Sequence, residues 1–222
     1  MTSIIFVRHG ESESNVFIHE NPNDTNLSEK INALGDPNLS ELGHKQASDV
    51  GDYLCKQLDG QKVRILVSPL NRTHETSAPF KKKYEGHVDV FEPLLILQEY
   101  TKREKKLTQE HLDKGIIHHK SWDDFTDTVK NFVNFLEELA QEKDDPIIIF
   151  GHSLFLSAMI SYIGSSQTFM PKKEQLHFRF PNCSITTMEY SQGLWRIFNV
   201  ASVAHLQKEH ITGTECPFGH PK

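Results

Sequence analysis

The sequence predicts an α/β fold: a three-layer α/β/α arrangement with a mainly parallel central sheet and an antiparallel strand pair at the C-terminal end. Three observations lead there. Four short apolar runs, residues 4–7, 65–67, 88–91 and 147–150, have the length and β-branched content of buried strands. Segments with helical spacing of apolar residues lie between them, and strands alternating with helices favour parallel pairing with both faces covered. Near the end, β-rich runs at 184–190 and 195–200 flank Ser191-Gln192-Gly193, the pattern of a hairpin.

Taken in order, the first run, Ile4-Ile5-Phe6-Val7, is followed by a polar, Asn-rich stretch from Asn15 to Asn38, with Pro22, Gly35 and Pro37, that reads as a long loop with one broken helical turn. Ser40 is placed to cap a helix carrying Ala47, Val50, Leu54 and Leu58 on one face. Ser68-Pro69 follows the second strand as N-cap and first helical residue of the next helix. Val88 to Phe91 is the third and weakest strand. Residues 100–120 are rich in charge and histidine and read as a mobile insertion. Ser121 with Asp124 resembles a capping box, opening a helix whose apolar face is Trp122, Phe125, Val129, Phe132, Val133, Leu136 and Leu139. Pro146 precedes the fourth strand. Gly151-His152-Ser153 then leads into a helix through Leu156, Met159, Ile160 and Ile163. A single domain over 1–222 is expected, with insertions at about 16–38 and 100–120 near the active site and a loose tail over 204–222.

The totals narrow the function classes. A net charge of −6, from 24 Lys and Arg against 30 Asp and Glu, argues against a nucleic-acid-binding body. Three widely spaced cysteines do not form a disulfide framework and suggest reduced thiols. No window has the length of a signal core or a membrane span. A cytoplasmic location, with no membrane or nucleic-acid partner, is the expectation; oligomeric state is not indicated.

The chemistry sits at the strand ends. Three of the four apolar strands run into a polar turn holding a cation or potential cation: Arg8-His9-Gly10, Ser68-Pro69-Leu70-Asn71-Arg72, and Gly151-His152-Ser153. Ligands of open α/β sheets bind outside the carboxyl ends of the strands. If those strands are neighbours, Arg8, His9, Arg72 and His152 meet in one crevice. Two guanidiniums present forked donors for phosphate oxygens, and a neutral imidazole is a competent phosphoryl acceptor. Such a pocket suits a phosphoryl group. The attacking nitrogen of His9 must be unprotonated, which the nearby arginines favour. Its tautomer would be set by the other ring nitrogen donating to a carbonyl, such as that of Gly10.

Arg8-His9-Gly10-Glu11-Ser12, extended to Asn15, resembles the signature of the histidine phosphatase superfamily, which includes the cofactor-dependent phosphoglycerate mutases. Further segments are similar to that family's in the same order: Asn38-Leu39-Ser40-Glu41-Leu42-Gly43 with Gln46-Ala47, Ser68 to Thr76 with Glu75 where Gln is usual, Leu97-Gln98-Glu99, and Gly151-His152-Ser153. The resemblance spans 4–153. It implies a two-step phosphomonoesterase in which His9 attacks phosphorus and Glu99 protonates the leaving alkoxide. Water then hydrolyses the phosphohistidine with Glu99 as base. Arg8, Ser12, Asn15, Arg72, His152 and Ser153 would bind the phosphate and substrate. No metal and no cofactor is implied, and the substrate is a phosphorylated small molecule or a phosphoprotein.

Other readings stand beside this one. A mutase-type phosphotransferase would carry a longer insertion after Glu99, and an Arg and a Tyr-Gly that Tyr100-Thr101-Lys102-Arg103-Glu104 does not supply. Gly151-His152-Ser153-Leu154 also resembles a nucleophile elbow with Ser153 as nucleophile, although Phe155 crowds the final glycine position. An inactive phosphate-binding scaffold is a third reading. Glu92, Asp89 and Glu104 compete with Glu99 as proton donor. Lys102, Arg103, Lys105 and Lys106 line an entrance or form a solvated face. Ser12 and Asn15 alternatively cap the following helix. His118-His119 and the Cys216 to His220 spacing lack the remaining ligands of a metal site.

Overall fold

In a computed structural model that describes residues 1–91, 121–172, 175 and 178–213, six strands form one mixed sheet. These are β1 (Thr2–Arg8), β2 (Val63–Val67), β3 (Val88–Phe91), β4 (Ile147–Gly151), β5 (Ile185–Ser191) and β6 (Leu194–Ser202). Their order is β3-β2-β4-β1-β5-β6. The first four are parallel to one another, β5 adds antiparallel to β1, and β6 pairs antiparallel with β5 at the sheet edge. The expected architecture is the observed one. β4, late in the sequence, inserts between β1 and β2, so all three polar turns lie side by side.

Helices cover both faces. On one, α5 (Trp122–Glu142) and α6 (Ser153–Gly164) bury Phe125, Val129, Phe132, Leu136, Leu156 and Met159 against Ile4, Phe6, Ile147 and Ile149. On the other, Val50, Leu54 and Leu58 of α3 (Glu41–Leu58) and Phe80 of α4 (Asn71–Lys83) pack on Val7, Val63, Ile65 and Ile148. Alternate residues of a strand point to opposite faces, which is why β1 feeds both cores. α3 and α4 approach closely at Gly51, where an added Cβ would sit 3.0 Å from the Phe80 nitrogen. Ser40 and Ser121 cap α3 and α5 as expected, accepting from the Gly43 and Asp124 backbone N–H groups.

Three expectations change. The Asn15–Asn38 stretch, read as a long loop with one broken helical turn, holds more helix than that: most of α1 (Glu13–Glu20), which begins before Asn15, and all of α2 (Leu27–Ala33). α1 buries no residue, so it has no apolar stripe to read, and a capping box between Ser12 and Asn15 starts it. Ser68 does not cap α4, which begins at Asn71 behind Leu70 with no cap bond from the Leu70 side chain. Of the 204–222 segment expected to be a loose tail, the described part, residues 204–213, is packed against the fold. It buries Leu206, forms a 3-10 helix over Lys208–His210, and ties His210 Nδ1 to Asp49 Oδ2 at 2.6 Å.

The 100–120 insertion, Glu92, Glu99, His118, His119, Cys216 and His220 lie outside the described residues. Among the described residues no helix is long and apolar enough to cross a membrane, and no cluster of metal-ligating side chains forms.

Candidate active site

The parallel register aligns the strand ends. Arg8 pairs with Gly151, and both Val7 and Val67 pair with Phe150. Beyond this line the His9 N–H donates to the Gly151 carbonyl at 2.9 Å, and the Ser68 N–H to the Phe150 carbonyl at 3.1 Å. His9, Ser68 and His152 therefore leave the sheet at one level, at the carboxyl ends of β1, β2 and β4. The His9 and His152 ring centroids are 5.2 Å apart. Arg72, one residue into α4, brings Nη2 to 3.3 Å from His152 Nδ1. Arg8 donates from Nη1 to the Phe180 carbonyl. Arg8, His9, Arg72 and His152, from three segments, are brought to one place.

Both imidazoles have an assigned tautomer. His9 Nδ1 lies 2.6 Å from the Gly10 carbonyl, which can only accept, so Nδ1 carries the proton and Nε2 keeps its lone pair. At His152 the logic reverses. A guanidinium only donates, so Nδ1 accepts from Arg72, and Nε2–H donates to Ser68 Oγ at 2.9 Å. Both rings are buried, 4% and 2% exposed. Burial and then the Arg72 and Arg8 charges push His9 well below the ordinary histidine range, against the Gly10 hydrogen bond, which raises it. Burial, then Arg72, His9 and Arg8, does the same at His152.

The turn after β1 is held by groups far away in the chain. Gly10 N donates to Thr76 Oγ1 at 2.9 Å, and Glu11 N to Gln46 Oε1 at 2.7 Å. Ser40, besides capping α3, donates to Glu11 Oε1 at 2.7 Å. Gly43 lies against the same turn: a Cβ there would stand 2.0 Å from the Glu11 carbonyl oxygen. The physical reason for the Leu-Ser-x-x-Gly-x-x-Gln-Ala spacing is thus that one face of α3's first turns clasps the Arg8-His9-Gly10-Glu11 turn. Glu75, in place of the usual Gln, accepts the Leu39 N–H at 2.6 Å.

Ser12 is fully buried, with its hydroxyl engaged by Ser14 and Asn15, so the structure places it as the cap of α1. Asn15 Oδ1 accepts from Ser12 N, Ser12 Oγ and Asn182 Nδ2, which turns the amide so that its Nδ2 donors face away from the cap. Ser153 is the first residue of α6. Among the described residues no histidine hydrogen-bonds to its hydroxyl: His205 meets the Cys183 carbonyl and His210 meets Asp49.

Sequence reasoning gave no role to Ser68 at His152, to Asp36, or to Asn182. Asn182 is fully buried and donates to the His9 carbonyl at 3.2 Å, beside the Cys183 N–H at the same distance. A lone Asn between Pro and Cys carries no spacing signal. Gln46 and Gly43 were inside a recognised segment, but their function depends on where α3 docks.

With this geometry in place, comparison with known proteins settles the family. The model of the histidine phosphatase superfamily (branch 1) matches residues 4–202. The chain belongs to the histidine phosphatase superfamily. A superfamily relative in Bacillus subtilis (strain 168), named uncharacterized phosphatase PhoE, is 22% identical over 215 residues, covering 93% of this chain and 97% of that protein. Among solved structures, the ecdysone phosphate phosphatase of Bombyx mori in complex with tungstate superposes with a TM-score of 0.65 at 17% identity, over 90% of this chain and 93% of its own. The phosphoserine phosphatase of Entamoeba histolytica with 3-phosphoglyceric acid gives 0.61 at 21% identity, over 93% and 100%. The α-ribazole phosphatase of Shigella flexneri gives 0.62 at 18% identity, over 90% and 96%. These three likenesses establish a shared fold. Of the segments that resembled the superfamily, those among the described residues meet at the ends of β1, β2 and β4; the one around Glu99 lies outside them.

Proposed function

We propose that the protein is a phosphomonoesterase that works through a phosphohistidine at His9. The observation that carries the reading is the tautomer and surroundings of that ring. Nδ1 is committed to Gly10, Nε2 holds its lone pair, and two guanidiniums and a second imidazole stand around it. In the first step the Nε2 lone pair bonds to phosphorus as the ester oxygen leaves with the electron pair of the P–O bond, which is protonated by the general acid. Glu99 is the proposed acid, on the strength of its place in the sequence. In the second step water bonds to phosphorus and gives a proton to Glu99, and His9 is released with inorganic phosphate.

Arg8 and Arg72 would hold the equatorial oxygens, and the Asn15 Nδ2 donors another. The charge of a bound phosphoryl group opposes the guanidiniums at His152, allowing Nδ1 to gain a proton and donate. The arginines and His152 supply electrostatic stabilisation of the kind a metal gives elsewhere, so we propose a metal-independent hydrolase. The phosphatase names of the relatives favour hydrolysis over mutase transfer, and the engagement of His205 by the Cys183 carbonyl and of His210 by Asp49, two histidines after Ser153, disfavours the Ser153 esterase.

The test is turnover of a panel of phosphate monoesters by wild type, His9→Ala and Glu99→Gln, with acid-quenched and alkali-quenched protein examined for an alkali-stable, acid-labile phosphoryl group. Loss of at least about 10³-fold in kcat/KM for His9→Ala and a label on His9 are expected. Glu99→Gln should hurt alkyl phosphates by roughly 10²-fold or more and p-nitrophenyl phosphate less. Undiminished hydrolysis by His9→Ala would remove the nucleophile assignment, and equal losses on both substrate types would assign the acid elsewhere.

A further inference from the structure

Asp36 stands on the segment between α2 and α3, and its carboxylate does two things at the pocket. Both oxygens accept the Asn71 backbone N–H, at 3.1 and 3.0 Å. Asn71 is the first residue of α4, and the Leu70 side chain gives no cap bond, so the cap is supplied from 35 residues upstream. Asn71 Nδ2 returns the contact, donating to the Asp36 carbonyl and to Asn38 Oδ1 at 3.2 Å each. The same carboxylate lies 3.9 Å from Arg72 Nη1, with the two side chains only 6% and 11% exposed.

The guanidinium of Arg72 is therefore addressed at two corners, Nη1 by Asp36 and Nη2 by His152 Nδ1. A fork matches two phosphate oxygens only in one plane, and a long side chain left to itself samples many. A carboxylate beside an anion site repels the anion. Its presence there, buried and hydrogen-bonded to the helix that carries the arginine, has a physical use if it fixes that plane.

We propose that Asp36 is a positioning residue for Arg72, holding the guanidinium in the orientation that receives the phosphoryl oxygens while capping the helix from which Arg72 projects. The inference rests on the reading of Arg72 as a phosphate-binding group. It assigns the 16–38 region a part in the pocket: the connection into α3 sets the geometry of an arginine carried by α4.

A double-mutant cycle tests it, with kcat/KM for p-nitrophenyl phosphate and inhibition by vanadate measured on wild type, Asp36→Ala, Arg72→Ala and the double variant. Thermal melts report on folding. Asp36→Ala should lose roughly 10- to 100-fold in kcat/KM. The double variant should fall no more than about twofold below Arg72→Ala, because Asp36 acts through the arginine. Losses that multiply would overturn the proposal, as would an Asp36→Ala within about twofold of wild type.

Should Asp36→Ala fail to fold, Asp36→Asn keeps an oxygen for the Asn71 N–H and loses only the charge. Positioning requires that it too lose activity and weaken vanadate inhibition; a cap alone requires that it behave as wild type. Arg72→Ala at wild-type activity would remove the phosphate-binding reading and this inference with it. An impaired Arg72→Ala beside unimpaired Asp36 variants would remove the inference alone.

Discussion

His9 and His152 are both held neutral, by burial first and then by the charges around them. In the unfolded chain each titrates near about 6.5. The folded values are depressed, so as pH falls below that point the unfolded state binds protons that the folded state refuses, and stability falls with pH. The window opens at the unfolded value and closes at the lowered folded one. Each ring contributes a slope of at most about 1.4 kcal/mol per pH unit. Chemical denaturation between pH 7 and 5 should therefore show a slope that shrinks by up to about that amount in His152→Asn, and an unchanged slope would contradict the burial of a neutral ring. The two histidines and two arginines were legible in the sequence because Arg8, His9 and His152 stand at the ends of apolar runs and Arg72 lies in the polar segment that follows one. Asn182, Ser68 and Asp36 were not. Their bonds to His9, His152 and Asn71 cross 173, 84 and 35 residues respectively, and no local pattern encodes such distances.

At the scale of elements, legibility followed the amount of apolar surface each segment buries. α5 presents Phe125, Val129, Phe132, Val133, Leu136 and Leu139 on one buried face, and each was readable from its spacing. α1 buries nothing and depends on its capping box, so its polar sequence read as loop. α4's start was misplaced because the two groups expected to work locally are employed at a distance: Ser68 by His152, and the Asn71 N–H by Asp36. β2 holds Arg64, 2% exposed, which donates from Nη2 to the Lys143 and Asp145 carbonyls at the end of α5, at 2.9 and 2.8 Å. That places a cation where the helix dipole favours one. The α3 clasp gives a prediction at this scale. With 2.0 Å between an added Cβ and the Glu11 oxygen, Gly43→Ala must push α3 away from the Arg8-His9-Gly10-Glu11 turn. A cost of about 1–3 kcal/mol in urea unfolding is expected, with a fall of roughly tenfold or more in kcat/KM. Alanine is otherwise the better helix former by about 1 kcal/mol, so a stabilised and fully active variant would mean the contact is not there.

In the whole molecule, the last described residues pack against α3, the residues before β5 and Arg8. His205 Nε2 meets the Cys183 carbonyl at 3.0 Å, and Gln46 Nε2 donates to the His210 carbonyl and Thr212 Oγ1. Asn182 N donates to the Thr212 carbonyl. At Gly213, φ is +73° and a Cβ would lie 2.7 Å from Arg8 Nη1. A chain ending at Val203 should therefore melt lower and turn over p-nitrophenyl phosphate more slowly than one ending at Gly213. Equal melting temperatures and rates would show the segment to be dispensable. Nothing in its composition announces this role, because its apolar content is low and its partners are single polar groups on α3 and before β5. The sequence by itself determined the strands, the covered faces and the residue types at the strand ends, since hydrophobic period and turn chemistry are local properties of a chain. Only the tertiary structure decided that β4 lies between β1 and β2 at a common register, which nitrogen of each histidine carries the proton, and which distant side chains contact the cations. Those follow from pairing and docking between segments, and they depend on three-dimensional distances that residue order does not record.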